Sequence, residues 1–369
     1  LYRRLAAKGI SEILVLTDVA AAGEVLPGLE VRPLLTRWSL WEVPELIKAC
    51  RKFRPDIVHI QYPSIKYKRH LMPSLLPLIL KGTGVGSVII TLHGFGLYTW
   101  LGKLRLSLAA VSADGIIPVS GHIRNTAEKF WGHAGQSISA RLEEVVFTGS
   151  SIELTSGITA QQRRALRESW GMGPGQIALA YFGFINDGKG FDDLLQSYRV
   201  CLDRGLDARL ICLSSLDPVG DKYQLEMQRT INRLGLETRL HFTGYLDSEA
   251  VASALAAADM AVLPFNYGAS TKRTTLLAAL ACGCPVITTS DPSLPLFFKN
   301  EENILLVPPR DPANLAQAIL RLGRDRKLRD LIRAGTAELT GHFSWDSIAD
   351  KHMQIYRRHL KESRKNGNH

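Results

Sequence analysis

The stretch Ile177-Ala178-Leu179-Ala180-Tyr181-Phe182-Gly183-Phe184-Ile185-Asn186-Asp187-Gly188-Lys189-Gly190 decides how this chain folds. A short apolar run ends in glycine, a polar turn carries one lysine, and an amphipathic segment follows over 190–203. That order is strand, turn, helix, the unit from which parallel sheets are built. The turn matches G-x-x-x-x-G-K, the opening of a P-loop. Gly190 stands where a magnesium-binding Ser or Thr belongs, which argues against a P-loop nucleotidase. The physics of the turn survives: glycines let the backbone approach an anion, Lys189 adds a point charge, and a helix start attracts negative charge. A Gly-rich turn with a solvated lysine is the bland alternative.

Outward from this unit the same alternation repeats. Apolar runs at 208–213, 239–242, 260–264, 286–289 and 303–307 predict strands. Helical periodicity lies between them at 221–234, 249–258, 274–282 and 312–322. An earlier series has strands at 12–17, 56–61, 87–92 and 115–119, with helices at 43–53, 72–81 and 100–113. Pro55 stops the second-strand helix, and Gly82, Gly84 and Gly86 punctuate the next connection. The turn-rich stretch 149–175 holds one helical pattern, 159–170, and the junction is expected near 149–156. A closing helix at 345–360 has Ser344 as its cap. The expectation is α/β: two facing Rossmann-like domains with parallel sheets and ligands in an interdomain cleft, outside the C-terminal strand ends. The expected domains are 1–152, 153–343, and a returning helix with a tail over 344–369.

With 369 residues, 46% hydrophobic and 22% charged, the chain suits two domains. Lys+Arg 45 against Asp+Glu 35 leaves +10, which favours a phosphate-bearing ligand or an anionic membrane surface. Basic residues are not interleaved with aromatics along one element, so nucleic acid is not expected. No apolar run approaches the ~20 residues of a membrane span. Five scattered cysteines suit a reduced, cytoplasmic compartment. The opening LYRRLAAKG reads as a helix already under way, suggesting an N-terminal truncation.

Gly268-Ala269-Ser270-Thr271-Lys272-Arg273-Thr274-Thr275 follows the 260–264 strand and opens a helix. Hydroxyls, two cations and free N–H groups there suit a diphosphate, with Arg273 able to bond bidentately and Lys272 as a mobile charge. Cations in a first helical turn oppose the macrodipole, and a broken local rule beside a strand end favours function over a merely capped helix. His93, in Thr91-Leu92-His93-Gly94-Phe95-Gly96, ends a first-domain strand and can donate a hydrogen bond or exchange a proton near neutral pH; a buried structural role is the alternative. Cys282-Gly283-Cys284 lacks partners for zinc and reads as buried thiols. Gly82-Thr83-Gly84-Val85-Gly86 precedes a strand and lacks the final x-x-G, so it is a loop. Lys66, Lys68 and Arg69 ahead of 71–80 could touch an anionic membrane, although a buried helix with a basic cap is the preferred reading.

The assembled order resembles family 4 (group 1) retaining glycosyltransferases of the GT-B fold. It comprises Pro55-Asp-Ile-Val-His59-Ile, Thr91-Leu-His93-Gly94, Val119-Ser120, Gly183…Lys189-Gly190, Gly244-Tyr-Leu246, Ala258-Asp259-Met-Ala-Val-Leu-Pro264 and Leu277-Ala-Ala-Leu-Ala281-Cys-Gly283-Cys-Pro285-Val286. Phe343-Ser-Trp345 and the helix after it resemble the family's closing helix. The resemblance implies transfer of a sugar from a nucleoside diphosphate sugar, with retention, to a glycan, lipid-linked or small-molecule acceptor. It implies Lys189 at the diphosphate, with Gly183, Asn186 and Gly188 in its turn. Gly244, Tyr245 and Leu246 would line the base pocket, Ser270, Thr271, Lys272 and Thr274 would surround sugar and phosphates, and His93 would approach the donor sugar. His93, Lys189 and Arg273 are the catalytic candidates. Phe184 stands where the family has Arg, and Ser270 and Ala278 stand where it has the E-x7-E glutamates. Lys272 and Arg273 are expected to replace the missing Arg. The family's first strand and Gly-rich loop are expected to precede Leu1. No D-x-D-like pair is present, so no metal or other cofactor is expected. The expected setting is cytoplasmic, in polysaccharide biosynthesis, at the inner face of the membrane where the acceptor is lipid-linked. A catalytically degenerate phosphate-binding scaffold and a sugar-nucleotide epimerase of the same fold are the alternatives.

Overall fold

The computed structural model describes residues 1–18, 29–62, 70–95, 98–132, 136–152 and 157–366. The basic run Lys66, Lys68 and Arg69, the residue Gly96 and positions 153–156 of the expected junction lie outside them. The chain divides into two units, Leu1–Thr148 with Trp345–His369, and Gly149–Ser344.

In the first unit the elements are α1 (Tyr2–Ala7), β1 (Ile13–Asp18), β2 (Leu29–Leu35), α2 (Val43–Phe53), β3 (Ile57–Tyr62), α3 (Met72–Lys81), β4 (Ser87–Leu92), α4 (Trp100–Ser112), β5 (Gly115–Pro118), α5 (Gly121–Gly132) and α6 (Gln136–Ser139). Pro44 sits in the first turn of α2, and Arg54 closes that helix in the left-handed conformation just before Pro55. Strand β4 is buried along its whole length, as a parallel strand covered on both faces must be. The expected single sheet is instead two: β1 pairs β2, and β3-β4-β5 form a second, all parallel. The consecutive residues Ile13 to Leu16 and Ile57 to Gln61 line a cavity of about 430 Å³. Neighbouring side chains of a strand point to opposite faces, so this cavity runs along strand edges. Helix α3 buries Met72, Leu76 and Leu80, which is the bland reading of 71–80.

The second unit contains α7 (Ala160–Ser169), β6 (Ile177–Phe182), α8 (Phe191–Asp203), β7 (Ala208–Leu213), α9 (Lys222–Arg233), β8 (Leu240–Phe242), α10 (Ser248–Ala257), β9 (Met260–Leu263), α11 (Thr274–Ala281), β10 (Val286–Thr289), β11 (Leu305–Val307), α12 (Pro312–Arg324) and α13 (Arg326–Phe343). The final helix, α14 (Trp345–Asn366), belongs to the first unit. Side-chain caps start the helices where the sequence supplies them: Thr159 with Gln162 for α7, Asp247 for α10, Asp311 for α12 and Asp325 for α13. Its six strands lie parallel in the order β8-β7-β6-β9-β10-β11. That is the doubly wound Rossmann order, with the direction of winding reversing between β6 and β9. Leu179, Tyr181, Leu194, Tyr198, Val262 and Ile287 belong to the core that holds the sheet to its helices. Asp259 joins the layers: its carboxylate accepts from the Ala178 amide at 2.8 Å and from Arg167 at 2.9 Å.

One glycine is indispensable to the reversal. Gly190 has φ +63, and a Cβ there would lie 1.8 Å from the Pro264 carbonyl oxygen and 3.0 Å from Asn266 Oδ1. The turns after β6 and β9 therefore touch backbone to backbone at this point, with the Asn266 side chain beside them. Gly190→Ala is expected to cost roughly 2–5 kcal/mol through left-handed strain and overpacking. Urea unfolding checks this, and a variant as stable as the parent would show that the turns are not packed so closely.

Candidate active site

Open α/β sheets bind ligands beyond the carboxyl ends of their strands, where the winding reverses. In the second unit that place receives two loops, one from β6 and one from β9. The β6 loop runs through Gly183, in the left-handed region at φ +130, to a single 3-10 turn, Asp187–Lys189. Asn186 caps this turn by accepting from the Gly188 amide at 3.2 Å, and the Lys189 amide donates to the Asn186 carbonyl at 3.0 Å. Gly183 gives room to Thr275: a Cβ there would press on Thr275 Cγ2 at 3.1 Å and meet Lys189 Nζ in ordinary contact at 3.7 Å.

The β9 loop supplies an aromatic floor. Phe265 is buried. Lys189 Nζ lies 5.1 Å from its ring centroid, and Arg273 Cζ lies 4.7 Å from the same centroid. Two cations from two loops therefore converge on one ring. Burial, and then the neighbouring Arg273 charge, lower the Lys189 pKa. Arg273 is lowered by burial and partly held up by Asp291; partial desolvation lowers Lys272 as well, although that residue reaches solvent. Cation–π attraction offsets part of the repulsion, by about 0.5–2 kcal/mol per contact. Among the described residues neither Lys189 nor Arg273 forms an ion pair with a carboxylate. Arg273 is also the N-cap of α11, whose first turn contains no acid and no side-chain cap. Positive charge gathered with only Asp291 near Arg273, and no ion pair, suits a bound anion.

Two buried polar atoms have no partner at this point: Asn266 Oδ1 and Thr275 Oγ1. Asn266 donates its amide to the Asp187 carbonyl, which ties the two loops together. Buried polar atoms in native proteins ordinarily find partners, so an unmatched pair marks where a ligand or water is received. Phe265, Asn266 and Thr275 were not singled out by sequence. Only Thr275 had a signal, as the last residue of the quoted 268–275 motif. Its neighbour Thr274 is exposed, whereas Thr275 is buried against Gly183. Arg310 was also missed; its guanidinium lies 5.4 Å from the Tyr267 ring.

The remaining sequence candidates have distinct places. Ser270 is half-buried and Thr271 buried in the same β9 loop. Gly244, Tyr245 and Leu246 follow β8, where the Gly244 amide donates to the Ser214 carbonyl at 3.2 Å; Tyr245 is 95% exposed. Phe184 projects into solvent, 82% exposed. His93 belongs to the first unit, at the end of β4. Its Nε2 lies 2.7 Å from Gln61 Oε1, and its amide donates to the Tyr62 carbonyl at 2.9 Å. Behind it His59 bonds Thr91 at 2.7 Å and Tyr356 at 2.5 Å. Burial, with His352 and His93 alongside, holds His59 well below the ordinary imidazole value, so it is neutral at pH 7. All five cysteines are buried free thiols.

A doubly wound sheet with a cationic crevice at its reversal defines an α/β protein suited to an anionic ligand, and comparison with known proteins gives the relatives. Residues 176–325 match the family described as Glycosyl transferases group 1. The chain is 27% identical to the phosphatidyl-myo-inositol mannosyltransferase of Mycobacterium leprae, over 82% of this chain and 73% of that protein. It is 29% identical to the D-inositol 3-phosphate glycosyltransferase of Saccharomonospora viridis, over 53% of this chain and 46% of that one. The chain thus spans about half the length of that second relative. Among solved structures, Anabaena HepE in complex with UDP superposes with a TM-score of 0.71 at 16% identity, covering 94% of this chain and 99% of that one. The sucrose-phosphate synthase of Thermosynechococcus elongatus gives 0.66 at 20% identity, covering 96% and 90%. The chain has the GT-B fold, and the match of residues 176–325 relates its second unit to the group 1 glycosyltransferases.

The paired cations generate a prediction that separates function from stability. Lys189→Met removes a charge that burial and Arg273 both disfavour. Its melting temperature should equal or exceed the parent's, while inorganic pyrophosphate binds at least tenfold more weakly, the size of a lost charged hydrogen bond. Scanning calorimetry and titration calorimetry read the two quantities. A melting temperature several degrees lower would make Lys189 a structural residue.

Proposed function

We propose that this protein is a glycosyltransferase and moves a sugar from a nucleoside diphosphate sugar to a glycan or lipid-linked acceptor, with retention at the anomeric carbon and without a resident metal. The convergence of Lys189 and Arg273 on Phe265, beside two unmatched buried polar atoms, supports this reading best. In it the diphosphate accepts hydrogen bonds from Lys189, Arg273 and the backbone N–H groups of Gly183 and the α11 start. Thr275 donates its hydroxyl. Ser270, Thr271, Lys272 and Thr274 line the path of the sugar and phosphates. Tyr245 offers an exposed ring on which a base can stack, with Gly244 and Leu246 beside it.

Bond breaking at the anomeric carbon places charge on the leaving diphosphate. Groups already aimed at that charge stabilise the transition state more than the ground state. In a front-face transfer the acceptor O–H attacks as the sugar–phosphate bond breaks. The acceptor oxygen bonds the anomeric carbon on the face the diphosphate leaves, and its proton passes to a departing phosphate oxygen. Such a route uses no carboxylate, consistent with Ser270 and Ala278 at the positions of the family's glutamates. His93, held through Nε2 by Gln61, is the proposed histidine at the donor sugar.

Lys189→Ala is expected to lower kcat about 10²–10³-fold, the worth of one preorganised donor at roughly 2.7–4 kcal/mol. A nucleotide-sugar panel read by thermal shift, followed by transfer assays with NMR of the product anomer, tests the reading. An inverted product or unchanged turnover would overturn it. Binding also has a pH signature. A bound diphosphate favours the ammonium form of Lys189, so binding takes up a proton once that lysine has begun to lose its own. Affinity should therefore fall as pH rises through the lowered Lys189 pKa. Calorimetry in buffers of different ionisation enthalpy measures the uptake, and pH-independent affinity across the alkaline range would contradict it.

A further inference from the structure

Helix α4 turns an unusual face outward. Trp100 is 67% exposed and Leu101 65%, and Leu104, Leu108 and Val111 are exposed along the same helix. At ~100° per residue these five fall within an arc about 100° wide. The opposite face, Leu106, Ala109 and Ala110, is buried. A surface helix normally presents charged and polar side chains on its outward stripe. Single exposed apolar residues are common, but five on one stripe mark an interaction surface. Helix α3, packed on α4, extends it with exposed Leu78.

Within α3 and α4 the charges have one sign, and Asp114, just past α4, is paired with Lys81 at 2.8 Å. Lys103 and Arg105 flank the stripe on its two sides. Arg141 donates to the Ala113 carbonyl at 2.8 Å, and so stands at the C-terminal end of α4. Neither α3 nor α4 contains an Asp or Glu. Lys103 and Arg105 are anchored: Lys103 Nζ lies 5.8 Å from the Phe130 ring, and Arg105 donates to the His70 carbonyl. Trp100 sits at the first turn, the kind of residue that settles at a lipid–water boundary. An apolar stripe with cationic flanks and a tryptophan is the pattern of a helix lying in the plane of a membrane interface. No helix among the described residues is long and apolar enough to cross a membrane.

We propose that the α3–α4 face is a docking surface for an anionic phospholipid membrane, with Trp100, Leu101, Leu104, Leu108 and Val111 entering the headgroup–acyl boundary and Lys103 meeting the phosphates. The full chain is tested by cosedimentation with vesicles of phosphatidylcholine alone and of equal parts phosphatidylcholine and phosphatidylglycerol. Binding should be several-fold stronger to the anionic vesicles and should weaken with salt. The triple variant Leu101→Gln, Leu104→Gln, Leu108→Gln should bind at least tenfold more weakly, and Lys103→Gln about fivefold. Unchanged circular dichroism melting shows that these exposed substitutions leave the fold intact. Absence of vesicle binding, or equal binding by the triple variant, would overturn the proposal. So would sedimentation velocity showing the parent self-associated and the triple variant monomeric, which would assign the face to a second copy. None of these readouts involves sugar transfer, so the surface and the proposed reaction stand or fall separately.

Discussion

The second unit is organised around two like charges on one aromatic ring. Lys189 and Arg273 both pack on Phe265, and each has its pKa lowered by burial. A fold gains nothing in stability from holding a half-buried lysine beside an arginine with no carboxylate pairing either. Such an arrangement is tolerated where an anion is bound, because the ligand then supplies the missing charge.

What holds the charges in place is ordinary sheet geometry. Winding reverses between β6 and β9, so their following loops diverge onto opposite faces and leave a crevice at the strand ends. Gly190 lets those loops touch, and Asn266 ties them by donating to the Asp187 carbonyl. Gly183 leaves room for Thr275 Cγ2, which a Cβ there would meet at 3.1 Å. The side chains that bear on the anion are thus few, while the backbone that positions them is fixed by a large apolar core.

Much of this was legible in the amino-acid order because parallel strands buried on both faces read as short apolar runs between amphipathic segments. β4, β7 and β10 fell where their apolar runs placed them, and α2 and α3 where their periodicity did. β2 escaped because Glu30, Arg32 and Pro33 interrupt its pattern. α5 escaped because its first turns are polar, with His122, Arg124 and Asn125 around the single buried Ile123. The lysine turn and the 268–275 segment were readable from local chemistry. Phe265, Asn266 and Arg310 were not, because their roles are contacts between loops far apart in sequence. The outward stripe of α4 was hidden for a related reason: apolar residues look alike in sequence whether they face the core or the solvent.

The central claim is that Lys189 and Arg273 act together on one diphosphate. A double-mutant cycle with Lys189→Met and Arg273→Met, titrated with inorganic pyrophosphate, tests it most directly. The account predicts that the two losses are strongly non-additive, the second substitution adding far less than it does alone, because both side chains serve one bound anion. Additive effects, or pyrophosphate binding untouched by either substitution, would show that the two cations do not share a ligand.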